Sequence, residues 1–187
     1  MRGLIVAVSS DNIIGIDNEI PWHYPLDFKR FKEVTMNSTI IMGRKTWDSI
    51  PKKLDIEPLK GRTKFVVSSQ PNIDAKFFHP FFSLEAALDA VKTKDVWFIG
   101  GSSIYRKALE LDVVDVIDMT LIPKVCATLA TNQQNIVRFN IFEHNLSHGS
   151  YQKISHPYDD SLSIVRMERV IPKLSRLPGF LSRSQKR

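Results

Sequence analysis

With Cys126 as its one cysteine, the chain cannot close an intramolecular disulfide, so its stability has to come from a packed core. It has no apolar run long enough to cross a bilayer, and the opening Met1-Arg2-Gly3-Leu4-Ile5-Val6 lacks the long apolar segment of a secretory leader. A cytoplasmic protein without a membrane anchor is therefore expected. For such a protein the triplets Asn37-Ser38-Thr39 and Asn145-Leu146-Ser147 have no route to glycosylation. Its glycine turns match neither G-x-G-x-x-G nor the P-loop pattern. Of the histidines at 23, 79, 144, 148 and 156, only His144 and His148 stand at helical i, i+4 spacing, and no cysteine or carboxylate completes a ligand set around them, so no metal is expected. There is no internal repeat.

What is present fits one domain. A chain of 187 residues, 43% hydrophobic and 25% charged, is long enough for one sizeable core and short for two domains. The formal charge of +6 admits a nucleic-acid partner or a polyanionic substrate. Its placement favours the second, because an acid-free cluster of Lys173, Arg176, Arg183, Lys186 and Arg187 closes the chain among Pro172, Pro178, Gly179 and serines. We therefore expect a folded domain over 1–171 and a basic, flexible extension over 172–187, with no nucleic-acid partner.

Leu4-Ile5-Val6-Ala7-Val8 reads as a strand buried on both faces. Residues Ser9 to Tyr24, with Gly15 and Pro21 and no sustained period, read as a long loop, and Pro25 opens a helix. On that helix Asp27, Phe31 and Val34 share a stripe with Phe28 beside it, while Lys29, Arg30, Lys32 and Glu33 point mainly elsewhere. Further strands are expected at Thr39–Met42, Phe65–Val67, Phe77–Phe78 as a short edge, Asp95–Ile99, Val113–Leu121 and Leu162–Val170. Helices are expected after Gly43-Arg44-Lys45-Thr46 up to the break at Pro51, over Leu84–Lys92 behind an N-cap at Ser83, and over about Ser102–Leu109. Strands alternating with helices give an α/β fold whose mostly parallel sheet binds ligands at the carboxyl ends of its strands.

Two constellations carry chemistry. Met42-Gly43-Arg44-Lys45-Thr46 and Ile99-Gly100-Gly101-Ser102-Ser103 are glycine-marked turns entering helices, suited to a pyrophosphate, with Arg44, Lys45 and Ser69 suited to a further phosphate. By spacing alone such turns are equally ordinary structural punctuation. The second is Asp27 among aromatics, which reads either as a first-turn acid serving the helix dipole or as a buried catalytic acid.

These pieces occur in an order that resembles the dihydrofolate reductase family. The similarity runs through Ile14-Gly15, Asn18, Pro21-Trp22, Pro25, Asp27, Phe31, Lys32 and Thr35, then Ile41 to Trp47 and Ser49-Ile50-Pro51. It continues in Pro58-Leu59-Lys60-Gly61-Arg62, Val67-Ser68-Ser69 and Ile99 to Tyr105. The resemblance implies a three-layer fold with a central, mostly parallel eight-stranded sheet, an antiparallel C-terminal strand and about four flanking helices. It implies NADPH-dependent reduction of 7,8-dihydrofolate to tetrahydrofolate, an activity that sustains thymidylate, purine and amino-acid synthesis and is the target of antifolate inhibitors, in a monomer.

The resemblance also assigns roles. Asp27 holds the pterin's pyrimidine edge with Thr120 as its partner, and Trp22 and Tyr105 complete the catalytic set. Ile5, Val6, Phe28, Phe31, Ile50, Leu59 and Ile99 line the substrate, and Arg62 clamps its glutamate carboxylate. The nicotinamide and pyrophosphate fall to Ala7, Ile14, Gly15, Ile20, Gly43, Thr46, Ile99, Gly100, Gly101, Ser102, Ser103, Ile104 and Tyr105, and the adenosine phosphate to Arg44, Lys45, Ser68 and Ser69. After Thr120 the chain departs. Where the family carries an acidic G-D-T-x-F-P-like stretch it reads Pro123-Lys124-Val125-Cys126-Ala127, and Lys52 to Glu57 is an insertion. That departure keeps open a weakened member that only binds folate, NADPH or RNA. A riboflavin-pathway reductase of the same fold would lack the combination of Asp27, Phe31 and Arg62.

Overall fold

The computed structural model describes residues 1–51, 56–70, 75–129, 135–143, 151–157 and 162–170. Ten strands are described: β1 (Arg2–Ser9), β2 (Ile13–Ile16), β3 (Thr39–Gly43), β4 (Thr63–Val67), β5 (His79–Phe81), β6 (Val96–Gly100), β7 (Val116–Ile122), β8 (Ile136–Arg138), β9 (Tyr151–Pro157) and β10 (Ser163–Arg169). Four α-helices accompany them: α1 (Pro25–Thr35), α2 (Arg44–Ser49), α3 (Leu84–Asp89) and α4 (Ser102–Glu110).

Eight strands form one sheet in the order β5-β4-β3-β6-β1-β7-β10-β9. The six from β5 to β7 are parallel, and β10 runs antiparallel to both β7 and β9. The expected architecture, including the antiparallel strand near the C-terminus, is the observed one. The alternation of side chains along β1 builds the layers. Leu4, Val6 and Val8 face a core with α3 and α4, where they meet Leu84, Ala87, Ile104 and Ala108. Ile5 faces the opposite core, with Trp47 of α2 and, at its margin, Phe31 and Val34 of α1.

Several boundaries differ from the sequence expectations for physical reasons. The segment Ser9–Tyr24 is not all loop: Ile13–Ile16 pairs antiparallel with Ile136–Arg138. Four residues interrupted by Gly15 are too few to display a period. The edge strand lies at His79–Phe81, two residues beyond Phe77–Phe78; Phe78 instead fills the core against Trp47, ring centroids 4.9 Å apart, and Pro80 is tolerated because the strand is an edge. Helix α3 begins where expected, with the Ser83 hydroxyl accepting from the Ala86 amide, and ends at Asp89 as i to i+3 bonds tighten its last turn. β7 begins at Val116 because Leu111 and Asp112, the latter at φ 51°, still belong to the turn that ends α4. The His144/His148 pair, the triplet at Asn145 and the extension 172–187 lie outside the described residues, as does most of the insertion Lys52–Glu57.

Candidate active site

Asp27 sits in the first turn of α1, half-buried, with the Thr120 hydroxyl of β7 donating to it. Burial pushes its carboxyl above the ordinary carboxylate value; the Thr120 hydrogen bond and the Arg30 charge pull the other way, and Asp118 pushes with burial. Phe31, Ile50 and Leu59 pack on the same core as Ile5 and Ile99, which makes one apolar wall beside the acid. Phe28 is 41% exposed and its ring meets His23 at 5.6 Å, so it stands at the rim. Val6 does not join this wall. Its side chain packs under α4 on the opposite face of the sheet, because neighbouring residues of a strand point to opposite faces.

Arg62 lies beside this wall at Phe31. It is buried, its guanidinium lies 5.5 Å from the Phe31 ring centroid, and it donates to Thr35 Oγ1 at 2.7 Å and to the carbonyls of Lys32 and Lys60 at 3.1 and 3.2 Å. Thr35 is itself fixed by donating to the Phe31 carbonyl at 2.6 Å. Among the described residues none of these partners is an acid, and burial pulls the Arg62 guanidinium below its ordinary value. A guanidinium oriented by neutral oxygens and lacking a counter-ion is suited to an incoming carboxylate.

The two glycine turns are pressed against one another. A Cβ at Gly43 would lie 3.5 Å from Ile104 and 3.9 Å from the Gly101 amide nitrogen. Gly100 has φ +119°, and a Cβ there would lie 3.2 Å from the Tyr105 hydroxyl and 3.5 Å from Thr46 Oγ1. α2 and α4 both start on glycine N-caps with no side-chain cap, unlike the self-capped α3. The Tyr105 hydroxyl donates to the Ile5 carbonyl at 2.8 Å, and complete burial drives its titration far above the ordinary phenol range, so it serves as a neutral donor. Ile104 is buried beneath α4 and supports Gly43 from behind. Ser102 is half-buried and Ser103 exposed. At the outer end Arg44 holds Asp48 through Nε at 2.7 Å, Lys45 is exposed, the Ser68 hydroxyl accepts from Gln70 N at 3.1 Å, and Ser69 is exposed.

The 9–24 segment is tied down along its length. Trp22 is buried with Ile13, Ile16, Ile122, Cys126 and Leu162, and Ala7 packs against that group. Ile14 packs against the core beneath α4. Asp17 and Asn18, at φ 49° and 65°, make a two-residue turn closed by reciprocal Ile16–Glu19 bonds of 2.9 Å, and Ile20 follows it, half-exposed. A Cβ at Gly15 would meet the Glu19 carbonyl at 3.3 Å. An acid on the facing segment, Asp11, ties it to the stretch after Thr120. The Asp11 carboxylate accepts from the Cys126 and Ala127 amides at 3.0 and 2.8 Å and from the Ser9 hydroxyl at 2.6 Å. Desolvation opposes its charge, but these hydrogen bonds outweigh it and hold the carboxyl down at about 2.

Other site-shaping residues were not singled out from sequence. Arg30 does not point away from Asp27's surroundings; it pairs with fully buried Asp118, and Arg166 adds a second cation. An aspartate inside the apolar strand Val116–Ile122 was the available signal. Lys64, buried in β4, pairs with Glu57 of the insertion. A cavity of about 370 Å³ lies elsewhere, on the far face of the sheet from Asp27, lined by Val8, Met119, Leu121 and Phe139. Among the described residues no group of three His, Cys, Asp or Glu is placed to hold a metal, and no helix is long and apolar enough to cross a membrane.

The family model described as dihydrofolate reductase matches residues 1–159. The chain belongs to the dihydrofolate reductase family. Similar members include the dihydrofolate reductases of Mycobacterium leprae, 44% identical over 110 residues (58% of this chain and 66% of that protein), and of Neisseria gonorrhoeae, 39% identical over 109 residues (57% and 65%). The matched stretch thus spans just under two thirds of these relatives' length. The fold is that of Enterococcus faecalis dihydrofolate reductase complexed with NADP(H) and RAB-propyl, at TM-score 0.70 and 24% identity, covering 91% of this chain and 97% of that one. The turns at Gly43 and Gly100-Gly101 leave little room for side chains of their own, since a Cβ at Gly100 would lie 3.2 Å from the Tyr105 hydroxyl.

Proposed function

We propose that the protein reduces 7,8-dihydrofolate to 5,6,7,8-tetrahydrofolate with NADPH. The observation that carries this reading is the placement of Asp27, a carboxyl with a raised pKa, beside an apolar wall that ends in Arg62, a buried guanidinium that has no acid partner among the described residues. Such a cleft suits a flat heteroaromatic ligand with a hydrogen-bonding edge at one end and a carboxylate at the other. The glycine turns, with Thr46, Ser102 and Ser103, would hold the dinucleotide, and Arg44, Lys45 and Ser69 its additional phosphate. When bound, NADPH supplies the hydride.

Hydride addition to the carbon of the dihydropterin C=N bond requires a proton at the nitrogen, where negative charge would otherwise collect. Asp27 holds the pyrimidine edge, and its high proton affinity lets it favour the protonated substrate, with the proton passing through water. Thr120 fixes the carboxyl's orientation. Trp22, anchored among Ile13, Ile16 and Ile122, and Ile20 cover the reacting ring from the 9–24 segment and exclude solvent. The domain ends near residue 171, and the family's antifolates compete for the same cleft.

The test is the loss of NADPH absorbance with dihydrofolate for the wild type and Asp27→Asn. Turnover of the variant is expected to fall by about 10²- to 10⁴-fold at neutral pH and to recover partly in acid, where solvent can protonate the substrate. Equal turnover of the two proteins across the pH range would remove Asp27 from the reaction. Absence of turnover in the wild type, with both ligands bound, would leave a binding protein.

A further inference from the structure

The register of the sheet sets a second acid behind the first. Thr120 and Asp118 are two residues apart on β7 and therefore share the face that α1 covers. Across the sheet Asp118 is level with Ile5 of β1 on one side and Arg166 of β10 on the other. Arg30, one helical turn after Asp27, reaches it from above, with Nη2 at 2.6 Å from Oδ2 and Nη1 at 2.6 Å from Oδ1. The Asp118 side chain is wholly buried and that of Arg30 13% exposed. Arg166 Nη1 lies 3.3 Å from Asp118 Oδ2, and its Nε binds Glu168.

We propose that the Arg30–Asp118 ion pair governs the charge state of Asp27, which makes Arg30 and Asp118 positioning residues of the reaction. A buried ion pair contributes little net stability compared with well-packed apolar residues, so stability alone gives no reason to place one a helical turn from the acid. Its electrostatic consequence there is direct. Arg30 favours the Asp27 anion and Asp118 opposes it, so within the intact pair the two charges act against each other and burial dominates. Removing either member uncovers the other's charge, and the two removals act with opposite sign. The remaining groups around Asp27 do not substitute for the pair. Arg166 is shared between Asp118 and Glu168, Tyr105 is neutral, Thr120 contributes only its hydroxyl, and His23 lies outward against Phe28.

The inference rests on Asp27 being the group that governs substrate protonation, so it is read in two ways. The Asp27 side-chain carboxyl is titrated by carbon-13 NMR in the ligand-free protein, and the pH profile of kcat/KM is recorded with dihydrofolate and NADPH. Arg30→Met is expected to raise the Asp27 titration by about one pH unit and Asp118→Asn to lower it by about as much, while the double variant returns close to wild type. Arg30→Lys, which keeps the charge, should restore the wild-type value. If Arg30→Met fails to fold, Arg30→Lys against Asp118→Asn still separates charge from shape. Shifts of the same sign in both single variants, or none in either, would overturn the proposal. A carboxyl that moves as expected while the kcat/KM profile stays fixed supports the tuning and defeats the reading of Asp27 as the reaction's proton-governing group.

Discussion

Two arginines serve α1, Arg30 on the helix itself and buried Arg62 packed beside it, and they are satisfied in opposite ways. Arg62 is held by a threonine hydroxyl and two carbonyls, all neutral, so its positive charge stays available. Arg30 donates to one oxygen of a buried aspartate and lies 2.6 Å from the other, so its charge is paired within the protein. A guanidinium supported by neutral acceptors is oriented for a ligand, whereas one supported by a carboxylate acts only through the balance of the pair. On the proposed reading Arg62 binds and Arg30 tunes.

The sharpest break in that comparison comes from Arg62→Leu. Losing a charge-assisted, two-pronged grip on a carboxylate costs about 2 kcal/mol, so KM for dihydrofolate should rise about 30-fold with kcat little changed. A pterin substrate lacking the glutamate should show no such rise. If both substrates suffered equally, or if KM held, Arg62 would be as internally committed as Arg30.

A smaller effect tests the acid that lies between the two arginines. Burial raises the Asp27 carboxyl in the folded protein above 3.8, the value from which it starts, so its protonated form is favoured by folding. The corresponding stability is fully present below 3.8 and is lost as pH rises through the raised value, leaving an ionised, partly buried group at neutrality. Asp27→Asn should thus melt higher than wild type at pH 7 and lose that advantage near pH 4. A melting temperature that is lower at both pH values would mean that Arg30, rather than burial, dominates around Asp27.

These contrasts divide what was readable in the residues from what was not. The sheet and its helices followed from local patterns such as Leu4–Val8 and the Ser83 cap. The glycine turns were visible as punctuation, but their mutual approach depends on strand order, which places β3 beside β6. Asp27 stood out as an acid among aromatics, but the choice between a first-turn acid and a catalytic one came from the family resemblance, as did Arg62, since a basic loop residue is ordinary by itself. Arg30 was misplaced because helix periodicity reports a side chain's direction and not its reach; a long cation at the stripe's edge can still find a buried partner. The Asp118 pair and the short ribbon of β2 and β8 join residues about 90 and 120 positions apart, and no local window contains both partners.

Asp11 extends the comparison to an anion and carries the smallest predicted effect. Like Arg62 it is held by uncharged groups, here two backbone amides and a hydroxyl, yet all its partners belong to the protein. Its charge therefore fastens one segment to another, in company with the β2–β8 ribbon, the Asn135 amide bound to the Asp17 carboxylate at 2.8 Å and the Arg138 guanidinium on the Asp11 carbonyl at 2.6 Å. Because those ties remain, Asp11→Ala should loosen the 9–24 segment without releasing it, lowering kcat about threefold and speeding amide exchange at Ile13–Ile16 while KM for dihydrofolate holds. Asp11→Asn, which keeps an acceptor for one amide but loses the charge, should fall between. If exchange speeds up while kcat is unchanged, docking of this segment does not limit turnover, and its closure over the ring is faster than the slow step. If neither moves, the ribbon alone holds the segment, and the acid absent after Thr120 needed no substitute in this chain.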